Sequence, residues 1–170
     1  MTDVDPWRAL TAAAEAIRAD ASERDPWLAE LPVVGIGWAT VELDRAAGDL
    51  AELGSFEPAT RDANLGATAR RGRPGDRARP ALILLEPDTE GLLAAGLARF
   101  GEGVLTAYLG PLERADVDDT PRLGPPRPGP LGPARLVIGR ERWGPNILVL
   151  AGVTRRRPSP RAGAAGLSVA

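Results

Sequence analysis

The chain has 170 residues, enough for one domain with a buried core and some flanking segments. It contains no cysteine and no histidine, which excludes disulfides, thiolate nucleophiles, cysteine-ligated metals and any Ser-His-Asp triad. Net charge is −2 and all 21 basic residues are arginine; this mildly acidic balance argues against general nucleic-acid binding. Apolar residues make up 44% of the chain but aromatics only 4%, so the core is expected to be aliphatic. Acid–base chemistry falls to Asp, Glu or Tyr, and a metal would need oxygen ligands. The N-terminus carries Asp3 and Asp5 rather than an apolar leader, and no apolar run approaches a membrane span. The expectation is a soluble, cytoplasmic protein.

Asp5-Pro6-Trp7 reads as a helix start, with Asp as cap and Pro at the first helical position. Trp7, Leu10, Ala14 and Ile17 recur at helical spacing and predict a helix from Pro6 to about Ala21. Asp25-Pro26-Trp27 repeats the start signal over a short turn ending near Leu31. Residues 1–31 therefore read as an N-terminal helical extension, with Trp7 and Trp27 laying it onto the main domain. Val33–Val41 is rich in β-branched residues and reads as a buried strand. Within it, Gly35 and Gly37 mark close backbone approach or room for a ligand. They do not make a dinucleotide fingerprint, because the third glycine of that motif would fall on Thr40.

Asp44 is placed to cap a helix over Arg45–Leu53, stopped by Gly54. Phe56–Thr60 and Leu65–Arg71 read as two short strands with Asp62-Ala63-Asn64 between them. The arginines from Arg70 to Arg77 read as a solvated loop, with phosphate binding as the alternative. Ala81–Leu85 is a continuous apolar strand. Asp88 or Thr89 is placed to cap the next helix, which ends at Gly101, and Val104–Leu109 is a further strand. Leu112–Asp119 reads as a short acidic helix or turn. Thr120–Pro133 holds six prolines and three glycines and cannot be regular structure. Arg135–Ile138 and Asn146–Leu150 read as a hairpin with Trp143 at its tip. Residues 154–170 lack core-forming residues and read as a disordered tail.

Four short stretches carry a family resemblance. They are Val33-Val34-Gly35-Ile36, Leu43-Asp44-Arg45-Ala46, Leu84-Leu85-Glu86-Pro87 and Phe100-Gly101-Glu102-Gly103. Their order and spacing resemble the vicinal-oxygen-chelate superfamily, the glyoxalase and bleomycin-resistance group, and within it methylmalonyl-CoA-epimerase-like members. The resemblance implies an α+β fold: a glyoxalase-like mixed sheet of βαβββ units over residues 32–153, curved around a cleft and often dimeric. Metal-using members place His, Glu, His and Glu at positions that match Val33, Ile83, Thr106 and roughly Leu148 here. The metal ligands are thus expected to be missing, and no cofactor is implied.

Strand alternation puts residues two apart on one face. With Val33 toward the cleft, Gly35 and Gly37 follow; with Ile83, Leu85; with Thr106, Tyr108. The predicted ligand-binding set is therefore Gly35, Gly37, Ile83, Thr106 and Tyr108, an apolar cleft with two hydroxyls. The alternative is that these residues pack shut as core. Among carboxylates, Glu86 and Glu102 at the ends of the central helix are the catalytic candidates, although structural roles also suit them. Asp88, Glu90 and Glu42 are similar cases.

Three readings stay open. The first, which is favoured, is a metal-free protein binding an apolar or aromatic small molecule. The second is an isomerase, epimerase or lyase of the same fold using carboxylates. The third is a non-catalytic member with a filled cleft, acting through protein interaction such as homodimerisation. No nucleic-acid or membrane partner is expected.

Overall fold

The computed structural model describes residues 5–73, 79–112, 122–139 and 144–152. Helix α1 spans Pro6–Ser22, and the Asp5 carboxylate accepts from the Trp7 amide at 3.0 Å. A 3-10 turn follows over Pro26–Glu30, without the side-chain cap expected from Asp25. Strand β1 is Val33–Ala39, α2 is Leu43–Asp49, β2 is Thr60–Asp62, β3 is Ala67–Arg71 and β4 is Ala81–Pro87. Helix α3 is Leu92–Phe100, and β5 (Gly103–Leu112), β6 (Ala134–Leu136) and β7 (Asn146–Ala151) complete the chain. No helix among the described residues is long and apolar enough to cross a membrane.

The seven strands form one mixed sheet in the order β2-β3-β4-β1-β5-β7-β6. The expected βαβββ unit is complete in the first half. There β1 runs parallel to β4, β4 antiparallel to β3, and β3 antiparallel to β2. The second half repeats the pairing in reduced form, with β5 parallel to β7 and β7 antiparallel to β6. The two halves join along the antiparallel pair β1–β5. Where a further strand would extend the second half, the proline-rich segment makes only isolated bridges, Leu123 to Val137 and Arg127 to Ala134. Proline has no amide to donate, so a continuous ladder cannot form there.

One sheet face is covered by helices. Leu10, Ala14, Ile17 and Ala21 of α1 pack on Ile36, Leu82, Ala107, Leu109, Ile147 and Val149. Each aliphatic side chain buried this way contributes on the order of 1.5–3 kcal/mol. Leu43 and Ala46 of α2 cover Leu84 beside it, with Trp38 and Phe56 at the margin. The N-terminal helix thus covers strands of both halves, mostly β5 and β7 with β1, while α2 covers β4 beside it.

Several local expectations change. Helix α2 begins at Leu43, not after Asp44, and its 3-10 continuation Ala51–Leu53 is separate. Its first amide is satisfied from across the sheet, because Leu43 donates to Glu86 at 2.8 Å. Phe56 makes a single bridge to Gly72, so β2 starts later, at Thr60. Helix α3 is capped at Gly91, and Asp88 instead accepts from the Thr68 hydroxyl. Arg70 and Arg71 belong to β3 rather than to a loop, and Arg70 pairs with Asp44 at 2.8 Å. The expected acidic turn after Leu112, the Trp143 tip, Arg77 and the 154–170 tail lie outside the described residues.

Candidate functional site

The cleft face of the sheet is built by β4, β1, β5 and β7. The register places Gly37 opposite both Ile83 and Thr106, Gly35 opposite Tyr108, and Tyr108 opposite Leu148. Gly35, Gly37, Ile83, Thr106 and Tyr108 therefore come together on one surface. A Cβ added at Gly35 would meet Ile83 and Tyr108, and one at Gly37 would meet Thr106 and Leu85. Two irregularities modify the predicted alternation. A register shift between Val33 and Gly35 turns Val33 to the α1 side and leaves Val34 with the cleft cluster. A second shift opposite Gly37 and Trp38 admits Leu105 as an extra residue on β5, and Leu105 joins the cleft cluster.

The cleft face is buried by the chain itself, with Leu93 and Leu97 of α3 among the buried residues of its cluster. Leu131, from the proline- and glycine-rich segment, packs with the cleft cluster. A Cβ on Gly35 would stand only 2.6 Å from Leu131 Cδ1, so glycine is what lets the leucine enter. The segment is held at the far sheet edge: Ala63 donates its amide to Pro128 O at 3.0 Å, and the Asn64 side chain donates to Ala134 O at 3.2 Å. The sheet curls until its two ends, β2 and β6, meet through these bonds. Ile83, Leu85, Thr106 and Leu148 are each 0% exposed, and Tyr108 is 1%.

A polar pair lies inside this apolar surround. The Tyr108 hydroxyl donates to Asp62 Oδ2 at 2.8 Å. Asp62 Oδ1 accepts from the Asn64 and Leu65 amides at 2.9 and 3.1 Å. Burial pushes the Asp62 carboxyl above its usual range, and its three hydrogen bonds oppose that only in part. Tyr108 is raised well above its ordinary value by burial and by the neighbouring carboxylate. Thr106, two residues from Tyr108 on the same face, has a buried hydroxyl with no hydrogen-bond partner among the described residues. An orphaned hydroxyl costs about 1–3 kcal/mol, so its burial calls for a reason. Asn146, buried and opposite Thr106 in register, borders the same row.

Asp62, Leu131 and Asn146 were not among the sequence-predicted site residues. Asp62 looks like a turn residue, and it does make that turn through Oδ1. Its other oxygen reaches the cleft only because the sheet curls.

The two candidate catalytic carboxylates are not brought to the cleft. Glu86 accepts the first amide of α2. Glu102 accepts from the Thr40 hydroxyl at 2.7 Å, from the Val41 amide at 2.8 Å and from the Arg45 guanidinium. Those bonds, the Arg45 one foremost, hold the Glu102 carboxyl down at about 2. Both side chains pin the end of β1 to α2, β4 and β5.

The positions matching a metal-ligand set carry Val33, Ile83, Thr106 and Leu148, whose only side-chain oxygen is one hydroxyl. That set does not fit a divalent cation. Among the described residues no group of three or more acidic side chains is placed to hold one elsewhere.

The sequence matches no family model and no curated protein. Solved structures do resemble the fold. A Streptomyces coelicolor methylmalonyl-CoA epimerase complexed with 2-nitronate-propionyl-CoA aligns at TM-score 0.56 and 20% identity, over 72% of this chain and 95% of that one. A methylmalonyl-CoA epimerase in complex with methylmalonyl-CoA aligns at 0.55 and 21%, over 73% and 96%. The Mycobacterium tuberculosis methylmalonyl-CoA epimerase aligns at 0.55 and 18%, over 70% and 86%. The chain therefore has the fold of these structures.

Proposed function

We propose that this chain is a metal-free small-molecule-binding protein, with its ligand seated in the sheet cleft beneath the segment carrying Leu131. The observation that supports this most is the polar content of a buried face. Among the described residues the Thr106 hydroxyl has no partner and the Tyr108–Asp62 pair is buried, while Leu131 of an irregular segment packs, partly buried, onto a surface formed by the strands and by Leu93 and Leu97 of α3. A cleft evolved only as core would leave no hydroxyl orphaned. The segment makes isolated bridges rather than a continuous ladder, so it is the part of the cover that a ligand would displace. Gly35, Gly37 and Ile83 would then line an apolar floor, and Thr106 and Tyr108 would orient the occupant.

Native mass spectrometry with metal analysis on the same sample tests this reading. The expected result is a small molecule that co-purifies, is released on denaturation, and comes without stoichiometric metal. A bare chain mass, together with no thermal shift across a small-molecule screen, would overturn the reading. It would favour instead a closed cleft and action through protein contacts, whose homodimeric form the native mass would reveal. Stoichiometric metal would overturn the metal-free assignment.

A second reading, epimerisation of an acyl-CoA ester, is supported by the fold of the neighbours and by the buried acid Asp62. Incubation with methylmalonyl-CoA in D2O decides it: exchange at the carbon between the carbonyls is required of an epimerase, and its absence removes this activity.

A further inference from the structure

Among the described residues, the cleft holds a carboxylate with no cation beside it. Asp62 is 0% exposed, and its hydrogen-bond partners are the Tyr108 hydroxyl and two backbone amides, all neutral. The arginine on the covering segment does not neutralise it, because Arg127 donates to the Ala63 carbonyl at 3.4 Å. Arg61, adjacent in sequence, is turned to Asp88. Gly129 of the covering segment comes close enough that a Cβ there would stand 3.4 Å from Asp62 Oδ2. That oxygen therefore lies directly under the part of the chain that must move for a ligand to enter. Burying an unpaired carboxylate is unfavourable, and such groups are normally matched by an ion partner. The Thr106 hydroxyl adds a second unsatisfied group on the same face.

We infer that the ligand class is a small organic cation: an ammonium group on an apolar body, with the ammonium against Asp62 Oδ2 and the body in the space now taken by Leu131 beside Gly35 and Ile83. The inference rests on the cleft being a ligand site. Cation and carboxylate neutralise each other inside a low-dielectric cavity, where a charge-assisted hydrogen bond is about twice as strong as a neutral one. An anionic ligand of the same shape is rejected by Asp62, and a neutral one keeps only the apolar part of the binding energy.

A matched series tests this: benzylammonium chloride, benzyl alcohol and sodium benzoate, titrated into the 15N-labelled full chain. The readout is the amide resonances of Gly35, Gly37 and Gly129, in the wild type and in Leu131→Ala. Benzylammonium is expected to shift them with an affinity about tenfold above that of benzyl alcohol, as one added charge-assisted bond implies, and benzoate to leave them in place. Asp62→Asn is expected to erase the preference for the ammonium while keeping the alcohol. Should Asp62→Asn fail to fold, the wild-type series decides alone. Equal binding of the alcohol and the ammonium would overturn the cationic class and leave the cleft reading standing. No shift with any probe, in either the wild type or Leu131→Ala, would overturn both.

Discussion

The two halves of the sheet solve the same packing problem by different means. In the first half, β1 to β4 form a full βαβββ unit, and its own helix α2 covers the strands. In the second half, β5, β6 and β7 are roofed from outside the unit by α1, and the remaining edge is an irregular proline-rich segment. The difference shows what a half-sheet requires. Both faces of strands carrying Leu109, Ile147, Leu148 and Val149 must be dry, and any amphipathic element that reaches will serve. The segment that could not become a strand folds over the edge of the cleft, where Leu131 packs partly buried against the cleft-face cluster.

Changes at the roof should have the largest effect. Ala14 is 0% exposed between α1 and the strands of the second half. Ala14→Arg is expected to cost about 4 kcal/mol, from overpacking and a buried charge, read by urea denaturation. The same change at Ala46, on the seven-residue α2, should cost about 3 kcal/mol, because an arginine there can extend past the short helix. An equal or reversed order would mean that α1 is an accessory rather than the second half's roof.

Next comes the bond that joins the first half's edge to the second half's first strand. Asp62→Ala strands the Tyr108 hydroxyl and the Asn64 and Leu65 amides, and is expected to cost about 3 kcal/mol. Loss of less than about 1 kcal/mol would show that water enters the cleft and replaces the carboxylate.

Smaller effects separate the two glycines. At Gly37 an added Cβ would stand 2.7 Å from Thr106 Cβ, a position fixed to the strand backbone. At Gly35 it would meet the flexible ends of Leu131 and Ile83. Gly37→Ala should therefore cost about 2 kcal/mol and Gly35→Ala about 1 kcal/mol. The Gly35→Ala penalty should shrink further in a Leu131→Ala background, which a double-mutant cycle on thermal stability would measure.

The smallest effect belongs to Glu102, whose contribution is present at neutral pH and lost in acid. Its folded pKa of about 2 lies below its unfolded value, so it stabilises above that unfolded value of about 4.3. That contribution disappears as pH falls from about 4.3 through about 2. Asp62 works in the opposite sense. Its carboxyl is raised, so the native state holds the proton longer and this group's contribution falls as pH rises past about 3.9. Glu102→Gln should flatten the acid limb of Tm against pH, and an unchanged limb would assign acid sensitivity to other carboxylates.

Much of the fold could be read because its signals are local. Asp5-Pro6 capped a helix, Gly101 ended one, and the apolar run Ala81–Leu85 could only be a buried strand. The common facing of Gly35, Gly37, Thr106 and Tyr108 also followed from the two-residue period of a strand. Val33 broke that rule because a bulge is set by pairing across strands, and neither strand encodes it alone. Glu86 and Glu102 looked like candidates because carboxylates at helix ends resemble both caps and catalysts. Their partners, Leu43, Thr40, Val41 and Arg45, lie far away in the chain, and those partners assign them to pinning.

By itself the sequence determined the element order, the aliphatic core, the absence of histidine and cysteine chemistry, and which strand residues share the cleft face. Each follows from composition or from a period of a few residues. Only the tertiary structure decided that Leu93, Leu97 and Leu131 pack over the cleft face, that Asp62 reaches Tyr108, and that α1 covers β1, β5 and β7. Those outcomes depend on how far the sheet curls and which distant segments then meet. No short-range pattern encodes that, because it is settled by burial of the whole sheet at once.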